Sequence, residues 1–198
     1  MVHFSPATDP APVALFWLCF FAWVAIWIGF VVRDRGSGVQ NTADRGSRTL
    51  IALSLWCGVL LAFLVAWLVP AAQIAASGWP LLIGGIVLMW VGIALRLWAV
   101  RTLGHYFRTV VVIQDDHQII SAGPYRLTRH PSYAGSLLTL AGIGLALGSW
   151  LSIIVAVLCA LVGFARRIMV EESTMRARFG DAYTAYARRT WRLVPFIW

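Results

Sequence analysis

Residues 12–32 read PVALFWLCFFAWVAIWIGFVV, twenty-one positions without a charge. A helix needs about 20 apolar residues to cross a bilayer, and this run suffices. It is too long for the core of a signal peptide, and no Lys or Arg precedes it. Similar runs follow at 50–72, 79–100, 133–148 and 150–170, the third interrupted only by Arg96. The pattern predicts an all-α integral membrane protein of about five spans, with a C-terminal cytoplasmic helical segment over 171–198. The chain reads as a single membrane domain over 1–198, without an internal repeat.

Composition agrees. The 198 residues are 60% hydrophobic and 12% charged, and mean hydropathy is +0.78. An ordinary soluble domain has roughly 45–50% and 25%. Disorder, coiled coil and a typical water-soluble enzyme are excluded. All 16 basic residues are arginine, and they lie between the apolar runs. That is a pattern of membrane topology, not of nucleic-acid binding. Arginines fill the loop 33–48, the loop 101–130 and the tail from 166, and are missing from the first twelve residues and from the turns near 70–79 and 148–150. The positive-inside rule then puts the N-terminus outside and the C-terminus in the cytoplasm. Cys19, Cys57 and Cys159 each sit in an apolar run, without metal-ligand spacing. The tryptophans, Trp17, Trp23 and Trp27 among them, are expected to face lipid or the interface. Arg96 is expected to snorkel to the inner interface. Arg176, Arg178, Arg188, Arg189 and Arg192 are expected against anionic headgroups.

Polar chemistry is concentrated in two cytoplasmic segments. The first, 104–135, is GHYFRTVVVIQDDHQIISAGPYRLTRHPSYAG. His117 to Ile120 reads as extended, Gly123-Pro124 as a turn, and Pro131 as the first turn of a helix. Free backbone N–H groups at that helix start favour an anionic group. The second, 166–186, is RRIMVEESTMRARFGDAYTAY, a helix with a break at Gly180. Arg167 and Glu171 are four apart and share a face, with Glu172 about 100° away. Ionisable residues at membrane depth are functional candidates; taken singly, Arg167 with Glu171 also reads as a surface ion pair, and His130 as a helix cap.

The combination of Gly123-Pro124-Tyr125, Arg129-His130-Pro131, Tyr133, Gly135, Arg167, Glu171-Glu172, Phe179-Gly180, Tyr183 and Tyr186 resembles the isoprenylcysteine carboxyl methyltransferase family. Phospholipid N-methyltransferases share part of it. The resemblance covers roughly residues 80–198 and implies a membrane methyltransferase using S-adenosyl-L-methionine, in a cytoplasmic pocket formed by the loop 101–132 and the C-terminal helix. Carried over by position, the cofactor-binding residues are His117, Gln118, Ile119, Ile120, Tyr125, His130, Pro131, Ser132, Tyr133 and Glu171. Arg167 matches the family's substrate arginine, and Glu172 its second acidic position, a catalytic candidate. Thr190-Trp191 stands where the family commonly has valine-proline.

Those residue types suit the ligand. Glu171 is placed to accept an ammonium or ribose hydroxyls, the N–H groups near Pro131 to Tyr133 to hold a carboxylate, and Tyr125 or Tyr133 to face a sulfonium. No Gly-x-Gly-x-x-Gly loop is present, which argues against a soluble Rossmann-type enzyme. The expected acceptor is hydrophobic or lipidic, most simply a carboxylate, reached from the lipid bilayer. Alternative readings are a phospholipid or thiol methyltransferase, a sterol-reductase-like NADPH enzyme, and a non-enzymatic scaffold.

Overall fold

The computed structural model describes residues 10–35, 46–75, 78–107 and 118–195. Among the described residues there are six α-helices: α1 (Ala11–Arg35), α2 (Ser47–Leu68), α3 (Gly78–Leu103), α4 (Pro131–Ala146), α5 (Trp150–Phe179) and α6 (Asp181–Arg188). Among the described residues there is no strand, only two isolated bridges, Gln73 with Ser149 and Thr128 with Trp191.

The apolar runs become helices with small shifts at their ends. Four of them, α1, α2, α3 and α5, are long and apolar enough to cross a membrane. The fourth run forms the 16-residue α4, about 24 Å long at 1.5 Å per residue. Five full spans is therefore approximate. The fifth run and the helix read over 166–186 form one element up to the expected break at Gly180. α5 continues unbroken for 30 residues to Phe179. No Gly or Pro interrupts 164–179, and the i,i+4 pairs Arg167–Glu171 and Glu172–Arg176 reinforce the helix there. It ends at Gly180, whose φ of 51° and ψ of −121° suit only glycine.

Two antiparallel seams hold the bundle, and small residues make both. In the first, α3 lies on α4. A Cβ built on Gly85 would stand 2.6 Å from Gly142 O, and one on Gly92 would stand 2.4 Å from Gly135 O. These glycines repeat every seven residues on each helix, so the backbones touch twice along one line. In the second seam, α2 lies on α5. Ser152 Oγ donates to Ala62 O at 2.7 Å, Gly58 faces Ala156, and Gly163 faces Ile51 and Ser54. The seams are tied by the α4–α5 turn, where Ser149 Oγ accepts from Ser152 N–H at 3.2 Å and caps α5.

α1 is attached through rings. Phe16 meets Phe63 at 6.1 Å and Trp23 meets Trp56 at 5.8 Å between centroids. Trp23 is 6% exposed and packs in the core against Trp56 and Phe20, where the sequence suggested lipid. Other tryptophans do mark the two ends of the bundle. Trp67, Trp79 and Trp150 are exposed at one, Trp98 and Trp191 at the other. Leu18, Phe21, Leu60, Val87 and Val162 are exposed between them. Burial of such a surface requires a bilayer, and the protein is an integral membrane protein.

Candidate active site

The arginine-bearing ends of α3, α4 and α5 meet, and most of the singled-out residues meet with them. α5 contributes Arg167, 1% exposed. Its Nε donates to Glu171 Oε1 at 2.7 Å and its Nη1 to Ser47 Oγ, at the start of α2, at 3.0 Å. This is a buried pair with a third partner, not a surface pair.

Glu171 is the centre of the cluster. Tyr133 Oη donates to its Oε1 at 2.6 Å, and His130 Nδ1 lies 3.3 Å from its Oε2. Its side chain is still 25% exposed, so one side of the carboxylate stays open. Tyr133 is held flat on Phe164, with centroids 4.9 Å apart. His130 stands at the N-cap of α4, immediately before Pro131 at the first helical position. That proline donates no N–H and pre-sets the helix. Burial opposes charge on His130, but Glu171 and then Glu172 outweigh it and raise the imidazole pKa above its usual 6.5. Two buried polar atoms have no hydrogen-bond partner among the described residues: Ser132 Oγ and His130 Nε2. The latter lies 3.5 Å from Glu172 Oε1, within ion-pairing reach but outside hydrogen-bond geometry.

Tyr125 sits behind this cluster, buried in the turn Gly123–Arg126. Gly123 has φ 54°, and a Cβ there would come within 2.9 Å of Thr102 Oγ1. Only glycine allows the turn to press onto α3. Burial first, then Glu171, pushes the Tyr125 phenol pKa above its ordinary value.

Glu172, next in sequence, has different surroundings. It is 3% exposed and receives three arginines. Arg129 Nε donates at 3.0 Å, Arg176 Nη2 at 3.1 Å, and Arg192 from both Nε and Nη2 at 3.1 Å. Arg176 and Arg192 therefore serve a protein carboxylate where headgroups were expected. The reason is local: Glu172 faces away from Arg167, and a buried carboxylate demands cations. Arg96 also departs from expectation. It does not snorkel; its Nη1 donates to Ser136 Oγ at 2.8 Å and to Ser132 O at 3.4 Å, and its guanidinium lies 5.3 Å from the Phe30 ring centroid. Gly135, against the Arg96 backbone, brings the two helices close enough for this.

Thus Tyr125, His130, Pro131, Ser132, Tyr133, Arg167, Glu171 and Glu172 converge. Gln118 is exposed, and Ile119 and Ile120 are half-buried in an irregular segment, not in a strand. None of the hydrogen bonds described for the cluster involves them. His117 lies outside the described residues. Sequence reasoning named Arg129 within the motif but assigned it no role, and gave Arg96 and Arg192 other roles.

Comparison with known proteins fits this geometry. Residues 85–177 match the Isoprenylcysteine carboxyl methyltransferase (ICMT) family. A rice protein (Oryza sativa subsp. indica), a probable protein-S-isoprenylcysteine O-methyltransferase, is 37% identical over 115 residues, covering 57% of this chain and 60% of that relative. A Dictyostelium discoideum protein-S-isoprenylcysteine O-methyltransferase is 27% identical over 187 residues, covering 91% of this chain and 75% of the relative. The solved structure of a eukaryotic intramembrane Ras methyltransferase, ICMT, superposes with a TM-score of 0.58 at 30% identity, covering 80% of this chain and 55% of that one. The chain thus spans about 60% of the length of the rice relative. Motifs, fold and matched segment together make residues 85–177 similar to the isoprenylcysteine carboxyl methyltransferase family.

Proposed function

We propose that this chain is a membrane methyltransferase that takes its methyl group from S-adenosyl-L-methionine and passes it to the carboxylate of a hydrophobic, isoprenylcysteine-like acceptor. The observation that carries this reading is the buried Arg167–Glu171 pair, with Glu171 left open on one side. The cofactor-like residues fit the donor. Ser132 Oγ is a buried polar atom awaiting a partner, at a helix start where a carboxylate is favoured.

When bound, the donor supplies a methyl group made electrophilic by a sulfonium. Glu171 would accept hydrogen bonds from its ammonium or ribose hydroxyls. Ser132 would hydrogen-bond its carboxylate, and the ring of Tyr133 or Tyr125 would attract its positive sulfur by about 0.5–2 kcal/mol. Arg167 holds one oxygen of the acceptor carboxylate and leaves the other to attack. A carboxylate is already ionised at neutral pH, so no residue has to remove a proton. The residues' task is alignment and exclusion of water. Glu172 supports the carboxylate reading over an amine acceptor. It is engaged by Arg129, Arg176 and Arg192, and suits holding cations rather than taking a proton.

The arginine distribution puts this end of the bundle, with the C-terminus, on the cytoplasmic side. The test is calorimetric titration of the detergent-purified protein with S-adenosylhomocysteine, beside a Glu171→Ala control. Binding lost in the control supports the reading. No binding by folded wild type, with binding of NADPH, overturns it in favour of a reductase. Transfer of labelled methyl to a prenylated cysteine analogue, a phosphatidylethanolamine or a thiol then separates the acceptors.

A further inference from the structure

The last described stretch of the chain is strapped across the segment that leads into α4. Tyr186 Oη donates to Tyr125 O at 2.9 Å. Thr128 Oγ1 donates to Arg192 O and Leu193 O, both at 3.2 Å. Arg129 N–H donates to Trp191 O at 2.8 Å, and Trp191 N–H to Leu127 O at 2.9 Å. Two side chains tie the strap to Glu172 of α5, Arg192 from within it and Arg129 from the segment beneath it. The Arg129 guanidinium, 9% exposed, donates from Nε to Glu172 Oε1 and from Nη1 to Ala187 O at 2.7 Å and to Thr190 O and Oγ1. It thereby caps the C-terminal carbonyls of α6 and bonds a carboxylate with the other edge of its fork.

Its place in the chain gives this clamp a second effect. His130 follows Arg129 and lies between two carboxylates, 3.3 Å from Glu171 and 3.5 Å from Glu172. Glu172 Oε1, the atom nearest His130 on that side, already receives Arg129 Nε and Arg192 Nε. With that oxygen saturated, the imidazole is left to Glu171. Without Arg129, Glu172 Oε1 keeps only the Arg192 Nε bond, its freed lone pair competes for the ring, and the strap is left with Arg192 as its tie to Glu172.

We propose that Arg129 is a positioning residue: by occupying Glu172 and holding the tail, it commits His130 to Glu171 and so shapes the methyl-donor pocket without touching the donor. This inference rests on the proposed function, because the pocket it shapes is the one assigned there.

The test compares wild type with Arg129→Gln and Arg129→Lys in detergent. The readouts are S-adenosylhomocysteine affinity, the methyl-donor KM and kcat with a prenylated cysteine analogue, and hydrogen exchange across 181–193. Arg129→Gln is expected to weaken S-adenosylhomocysteine binding about tenfold and to raise the donor KM similarly. The acceptor-saturated kcat should stay within about twofold, and exchange in the tail should rise. Arg129→Lys keeps the charge but not the fork, and should fall between the two. Should Arg129→Gln not survive purification, Arg129→Lys alone decides: unchanged affinity beside faster tail exchange overturns the proposal, and weakened affinity supports it. A loss confined to kcat, with donor KM and affinity unchanged, also overturns it. Wild type that binds no S-adenosylhomocysteine overturns the proposed function and this inference with it. Wild type and variants that bind alike overturn the inference alone.

Discussion

Tyr133 reaches Glu171 with a hydrogen bond of 2.6 Å while its ring lies on Phe164. One side chain thus fixes the carboxylate and is itself fixed by the core. Removing only the hydroxyl separates the two roles. Tyr133→Phe should keep the stack and the fold, and lose a charge-assisted bond of about 1.5–3 kcal/mol. S-adenosylhomocysteine affinity should fall by about tenfold or more, and the melting temperature should drop by only several degrees, about 2–4 °C per kcal/mol lost. Titration calorimetry and a thermal-shift scan on one preparation check this.

Arg167 is bonded at two points, to Glu171 and to Ser47. Arg167→Ala should abolish methyl transfer to a lipid extract or a prenylated cysteine analogue, by at least about a hundredfold in kcat/KM. Arg167→Lys should rescue little, since a point charge does not reproduce the fork. Normal transfer by Arg167→Ala would remove its assigned role in holding the acceptor.

His130 carries a pH dependence of defined sign. Its folded-state pKa is raised because the two carboxylates outweigh its burial. The stabilisation is complete below about 6.5, where the unfolded chain is protonated too, and is lost as pH rises through the folded value. Thermal stability measured from pH 6 to pH 9 should therefore decline in wild type. His130→Gln should lack that part of the slope.

The α3–α4 seam makes a contrast between neighbouring glycines. On Gly92 a new Cβ meets Gly135 O at 2.4 Å and Thr139 N at 2.6 Å, whereas on Gly84 it meets only Leu145 Cδ2 at 3.8 Å. Gly92→Ala should destabilise by about 1–3 kcal/mol; Gly84→Ala should be neutral or slightly stabilising. Melting temperatures of the two variants in one detergent decide it.

Much of this was legible beforehand. Apolar runs of about 20 residues located α1, α2, α3 and the start of α5, because hydrocarbon imposes a length that composition records. The cluster was legible where residue type and spacing coincide, as in Arg167 with Glu171 and in His130-Pro131 at a helix start. What escaped depends on distance in space. Arg192 meets Glu172 only because the chain doubles back after Gly180, and a separation of 20 residues gives no period to read. Arg96 looked like an interfacial arginine, since nothing in its own helix reveals that Gly135 opens room beside it. Trp23 looked lipid-facing because tryptophan serves core and interface alike. Glu172 was visible as an acid, but its three arginines come from three parts of the chain.

α5 runs without interruption from Trp150 into the polar cluster, and that continuity works as a ruler. Between the exposed indole at its start and Arg167 lie about 25 Å of helix, against a hydrocarbon layer of about 30 Å. With Trp150 resting at one face of the bilayer, the guanidinium falls just short of the other. The distance is rigid on the protein's side and adjustable on the lipid's. A thicker bilayer submerges the site and a thinner one wets it, so acyl-chain length becomes a control on this protein that no residue of its own supplies.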